Sequence, residues 1–99
     1  MSELVSRYLV AYDISDDARR GRIAVTLQAF GERVQYSVFL VDGKPADFVR
    51  LRSRLKRLVH GDSDRVILCD LGPRELAREK TTYLGRSAKL TGDSDALIV

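Results

Sequence analysis

One cysteine and one histidine stand among 99 residues, and that scarcity removes whole classes of chemistry. Cys69 has no partner for an internal disulfide, and one thiol with one imidazole cannot supply the four ligands of a structural zinc site. No Ser-His-Asp or Cys-His arrangement for nucleophilic catalysis is left either. Cys69 lies in the apolar run RVILCDL and reads most simply as a small buried side chain. His60 sits in a helix-ending turn, where surface placement is the simpler expectation and general base work the alternative. The glycines build neither of the common phosphate loops. No stretch approaches the roughly 18 consecutive apolar residues of a membrane span. The opening MSELVSR lacks the basic region and apolar core of a secretory signal, so the expectation is a cytoplasmic protein with no membrane partner.

What is present is enough for one small domain near the lower end of independent folding, with 44% of its residues hydrophobic. The formal charge of +3 proves no nucleic-acid role by itself, but its distribution is uneven. Residues 16–60 carry ten Lys or Arg against five Asp or Glu, so an anionic partner should meet the first two thirds of the chain.

The segment RYLVAYDISDDARRGR is the centre of the sequence. LVSRYLVAY reads as an interior strand covered on both faces, with Asp13 at its exit. Ser15 or Asp16 can cap the helix that follows, and Asp16 and Asp17 suit its positive end. Ile23, Leu27 and Phe30 share one face of that helix, and Gly31 is expected to stop it. ERVQYSVFLVDG alternates with a period of two, as one strand or as two short strands folded back near Ser37. After turn chemistry at residues 42–45, a second helix turns Phe48, Leu51, Leu55, Leu58 and Val59 inward and Arg50, Arg52, Arg54, Lys56 and Arg57 mostly outward. Residues 65–71 form a third clear strand, which puts Asp70, like Asp13, at a strand end. Gly72 and Pro73 break the pattern, RELAREK suits a short helix, and residues 81–95 are polar. The apolar tip Ala96-Leu97-Ile98-Val99 can complete a neighbour's sheet or tuck back onto its own domain.

This order predicts an α/β two-layer sandwich of the ferredoxin-like βαββαβ kind with both helices on one face of an antiparallel sheet. The other face needs cover, and Tyr8, Tyr36 or Phe39 exposed there would favour a second copy.

Asp13 alone is a poor metal site, because magnesium and manganese prefer octahedral oxygen ligands. Two copies of Asp13 near a two-fold axis would supply two carboxylates, with water and phosphate oxygens completing the shell. The competing reading is that Asp13 caps its own turn. Tyr12 can be core, or reach substrate if the backbone has begun to turn. Arg19 and Arg22 can share a helix face, whereas Arg20 and Arg22 cannot. These arginines and Arg33 either grip phosphate or solvate the surface. The bases of residues 50–57 suit backbone contacts better than base reading, since no aromatic side chains interleave them.

The combination Tyr12-Asp13-Ile14-Ser15-Asp16-Asp17, then Arg20 and Arg22, then Gly31-x-Arg33-Val34-Gln35-x-Ser37-Val38-Phe39, resembles the second and smaller of the two near-universal CRISPR adaptation proteins, over roughly residues 5–70. The resemblance implies a ferredoxin-like homodimer, with residues 1–72 as its nuclease or nucleic-acid-binding core. Residues 73–99 would be an extension of the same domain, ending in a strand swapped onto the partner's sheet. It implies a metal-dependent endonuclease for single-stranded RNA or double-stranded DNA, with Asp13 of each subunit around Mg2+, or Mn2+ in its place. Tyr12, Arg20, Arg22, Arg33, Ser37 and Phe39 correspond to residues tied to activity or to the dimer centre. The same likeness allows a non-catalytic bridge between two dimers of the larger integrase subunit during spacer acquisition, binding duplex DNA through basic surfaces; Arg19, Arg50, Arg54 and Arg57 are the candidates here. An RNA-recognition domain is disfavoured because the aromatic RNP pattern is missing. A small-molecule regulatory domain is disfavoured by the concentration of arginines.

Overall fold

The computed structural model describes residues 4–85 and the backbone of residues 97–98. Strand β1 (Ser6–Asp13) leads into helix α1 (Asp17–Gln28), a hairpin of β2 (Gly31–Gln35) and β3 (Val38–Gly43), helix α2 (Pro45–Leu58) and strand β4 (Arg65–Pro73). A short helix α3 (Arg74–Glu79) and strands β5 (Thr82–Tyr83) and β6 (Leu97–Ile98) follow. The main sheet has the order β2-β3-β1-β4 and every pairing in it is antiparallel, the ferredoxin-like arrangement.

The capping chemistry is local. The Asp16 carboxylate accepts the Arg19 N–H at 2.8 Å and opens α1. Pro45 starts α2 with its preset φ, and Asp47 accepts the Lys44 N–H at 2.8 Å. Helix α1 ends at Gln28, before Gly31, which instead opens β2. A Cβ at Gly31 would lie 2.3 Å from the Leu40 carbonyl oxygen, so this position serves close backbone approach and does not stop the helix.

Ile23, Ala24 and Leu27 of α1 and Phe48, Leu51 and Leu55 of α2 pack on Val10, Tyr12, Phe39 and Val41 of the sheet. Tyr8 belongs to this side too, its ring centroid 3.6 Å from that of Phe48, and Phe39 is fully buried here. Neither is on the open face, so neither supplies the exposed aromatic that would favour a second copy there. Tyr36 is exposed in the β2–β3 turn.

The register identifies the residues that do face away from the helices: Leu9 opposite Leu40 and Cys69, and Ala11 opposite Val38 and Ile67. Cys69 is therefore exposed, contrary to the reading of a buried thiol. The run RVILCDL is apolar on both faces, Val66 and Leu68 packing on the core while Ile67, Cys69 and Leu71 point outward, and this conceals the alternation. Residues 81–84 cross the open face on the side of Leu9, Val34, Val38 and Leu40, forming a groove with them. Ile67 is left 53% exposed beyond it.

Strand β4 continues through Gly72 and Pro73, where the break was expected. Gly72 takes φ +85°, and the Asp70 carboxylate accepts its N–H at 2.7 Å. Asp70 lies within β4 opposite Tyr8, and not at a strand end. The backbone of β6 pairs in parallel with β5 of the same chain. The remainder of the polar stretch and of the tip, residues 86–96 and 99, lies outside the described residues.

Arg7 is 1% exposed and donates to both oxygens of Asp42, at 2.7 and 2.9 Å. Breaking a buried pair of this kind typically costs about 3 kcal/mol or more, because one charge is left without its partner. The pair is a structural tie between β1 and β3, at the end of the sheet away from Asp13.

Candidate nucleic-acid site at the end of β1

Asp13 is the last residue of β1 and is exposed. Alternation along β1 puts it on the same face as Leu9 and Ala11, the open apolar face, while Tyr12 turns toward the helices and is 6% exposed. Among the described residues nothing hydrogen-bonds or ion-pairs with the Asp13 carboxylate, and the helix cap is Asp16. Asp13 is thus an oxygen donor free for a ligand.

Several of the other candidates hold the strand exit in place. The Tyr12 N–H donates to the Ser37 carbonyl at 3.1 Å and its hydroxyl donates to the Tyr36 carbonyl at 3.3 Å, fastening the β2–β3 turn to the end of β1. The Phe39 ring lies 6.2 Å from that of Tyr12, and the Arg33 guanidinium carbon sits 5.3 Å from the Phe39 ring centroid. Arg20 donates to the Ile14 carbonyl at 2.8 Å and pairs with Asp17, bracing the backbone just past Asp13. Tyr12, Asp13, Arg20, Arg33, Ser37 and Phe39 therefore converge at one end of the sheet. Arg22 is exposed on α1.

Arg19 takes another direction. It donates to both oxygens of Asp64, with Nη2 to Oδ1 at 3.0 Å, and the Asp64 side chain is completely buried. Asp64 also accepts the His60 N–H at 3.0 Å. The Arg19 hydrogen bond first, with the His60 N–H in support, holds the Asp64 carboxyl down to about 2. His60 itself is exposed in the loop after α2.

The bases of α2 are unevenly committed. Arg50 pairs with Asp47, and Arg54 lies over the Phe30 ring, 5.3 Å from its centroid. Arg52, Lys56 and Arg57 are exposed. Because β3 runs away from the Asp13 end and α2 returns toward it, Lys56 and Arg57 are on the Asp13 side of the molecule.

Two residues that the sequence pattern does not single out belong to this end of the fold. Asp64 is invisible in the pattern because its partner Arg19 lies 45 residues away. Arg65 is the direct cross-strand partner of Asp13, and a small pocket at this rim is lined by Ala11, Tyr12, Asp13, Arg65 and Ile67. The antiparallel rule carries the signal for Arg65, since the last residue of β1 must lie near the first of β4.

Among the described residues no group of three or more His, Cys, Asp or Glu gathers. One subunit thus offers a magnesium or manganese ion a single hard carboxylate, which fits the ion only when a second copy and phosphate or water oxygens complete the shell. Among the described residues no helix is long and apolar enough to cross a membrane.

The family described as CRISPR associated protein Cas2 matches residues 6–79. The chain belongs to the Cas2 family. A Synechocystis protein named CRISPR-associated endoribonuclease Cas2 3 is 42% identical over 57 residues, spanning 58% of this chain and 62% of that protein. The crystal structure of Streptococcus pyogenes Cas2 at pH 6.5 superposes with a TM-score of 0.65 at 30% identity, covering 76% of this chain and 96% of that one. A chain of a structure titled "Partial Cas6-RT-Cas1–Cas2 complex" superposes with a TM-score of 0.52 at 28% identity, covering 64% and 77%. Cas2 structures thus share the α/β arrangement found here.

Proposed function

We propose that this Cas2-family chain is a cytoplasmic, homodimeric protein of spacer acquisition that cuts phosphodiester bonds of single-stranded RNA or double-stranded DNA at a metal-dependent centre formed by Asp13 of both subunits. The observation that carries the reading is the placement of a free Asp13 carboxylate on the open apolar face. A second copy covering that face buries Ala11 and Ile67 and brings its own Asp13 to the same interface. Residues 73–99 extend the same domain, and their last strand would reach the partner's sheet only by leaving the parallel pairing with β5 that it makes within this chain.

Asp13 of each subunit would hold Mg2+ or Mn2+, which when bound supplies Lewis acidity that activates a water and shields charge on the scissile phosphate. The chain's own residues do the rest. Tyr12, Ser37 and Phe39 fix the end of β1, and Arg20 secures the next carbonyl, so the carboxylate is presented without side-chain rearrangement nearby. Arg22 and Arg33 hold flanking phosphates. The named activity of the Synechocystis relative agrees with this assignment.

The exposed bases of α2 and the likeness to a chain from a Cas1-containing complex favour a second, compatible reading. In it the dimer is a non-catalytic bridge that binds duplex DNA between dimers of the larger integrase subunit.

The deciding experiment is a metal-titrated cleavage assay on wild type and Asp13→Asn, run on single-stranded RNA and duplex DNA with binding followed in the same samples. The nuclease reading predicts metal-dependent cutting that the substitution abolishes while binding persists. Duplex binding without cutting by wild type contradicts it and leaves the bridge.

A further inference from the structure

We propose that Arg65 is a phosphate-positioning residue of the Asp13 site. This deepens the functional reading above and rests on its claim that nucleic acid meets this end of the sheet.

Arg65 opens β4 directly across from Asp13, so both side chains leave the same open face. Their charges are opposite and their strands adjacent, yet no ion pair joins them. Both are exposed, and among the described residues neither has another hydrogen-bonding or ionic partner. Between them the rim pocket has an apolar floor of Ala11 and Ile67, which offers no competing polar group. An open carboxylate beside an open guanidinium is the arrangement that a cation-bound phosphate satisfies: the carboxylate serves the cation and the guanidinium takes the phosphate oxygens in a two-pronged hydrogen bond. The arginines of α1 closest to Asp13 in sequence are otherwise occupied, Arg19 by Asp64 and Arg20 by Ile14 and Asp17. Arg65 is free of such duties and is held at a fixed distance by the strand pairing, so it can orient a phosphate relative to Asp13 where a flexible loop residue could not. On a two-fold related second copy the same pair recurs, giving the shared centre an arginine beside each carboxylate.

The test compares wild type, Arg65→Ala and Arg65→Lys for binding to a single-stranded RNA and a DNA duplex across a salt series in EDTA, and for cleavage with metal present. Arg65→Ala is expected to reduce the slope of log affinity against log salt by about one for each phosphate left without its guanidinium, with an unchanged melting temperature. Arg65→Lys is expected to restore the slope but not the full cleavage rate, because an ammonium supplies the charge without the planar fork. An unchanged slope and unchanged cleavage in Arg65→Ala overturn the proposal even if Asp13-dependent cleavage stands. A reduced slope in a wild-type background that cuts neither polymer supports Arg65 while removing the nuclease reading. Absence of binding to either polymer by wild type overturns both.

Discussion

Arg19 closes on the buried carboxylate of Asp64 and so ties the first turn of α1 to the loop between α2 and β4. The loop of residues 14–16 that follows Asp13 is therefore clamped from both sides, by Arg20 within α1 and by Arg19 across the fold. The Asp64 carboxyl titrates at about 2 against an ordinary 3.8. A carboxyl whose pKa is lowered by folding contributes stability that is complete above about pH 4 and is lost as the pH falls toward about 2. Arg19→Met should accordingly lower the melting temperature at neutral pH by several degrees, and the gap from wild type should narrow on acidification through that window. Thermal melts recorded from about pH 2 to about pH 7 check this; parallel curves for the two proteins would show that Asp64 does not depend on Arg19.

The open apolar face makes a separate demand. Ile67 is half exposed on the edge strand β4, flanked by Ala11 and close to Asp13. Ile67→Asp places a charge where a second copy would pack, and the partner's desolvation of that carboxylate is costly. Sedimentation equilibrium should show the mass falling from two chains to one, with the circular dichroism spectrum retained. A dimer that survives the substitution would mean that copies associate through another surface.

The bases of α2 should not contribute equally to duplex binding. Replacing Arg52, Lys56 and Arg57 together with Ala should weaken binding steeply at low salt and flatten its salt dependence. Arg50→Ala should do much less, because Asp47 already neutralises that guanidinium and shares its hydrogen bonds. Titrations of a fluorescent duplex at several ionic strengths distinguish the two; equal losses would place the duplex across the whole helix.

The parts of this fold set by short-range chemistry were legible in the chain. Asp16 caps α1 because a short acidic side chain precedes an apolar period of three and four, and Leu51 and Leu55 are buried because they recur on one face of α2. The ferredoxin-like order followed from the alternation of strand and helix patterns. Asp13 could be placed at a strand exit with the α1 arginines nearby from spacing alone, but spacing did not say which of Arg19, Arg20 and Arg22 reaches it. Cys69 could not be read correctly, since β4 is apolar on the face that meets the helices and on the face that does not. Alternation loses its information when both faces are greasy. Tyr8 and Phe39 went to the core for the same reason, being as suited to an interface as to an interior. The assignment of Arg19 to Asp64 and of Arg65 to the rim of Asp13 depends on tertiary register, which no local pattern encodes. For the site residues themselves, Tyr12, Ser37 and Phe39 are brought to the end of β1 as buttresses, whereas Arg33 lies over the Phe39 and Tyr36 rings and Arg22 is exposed on α1.

Whether two Asp13 carboxylates share one ion is tested most directly by the stoichiometry of metal binding. Titration of Mn2+ into the purified protein, followed by electron paramagnetic resonance, should give one bound ion for every two chains in wild type and none in Asp13→Asn. One ion for each chain, or unchanged binding in the variant, would contradict a shared Asp13 centre.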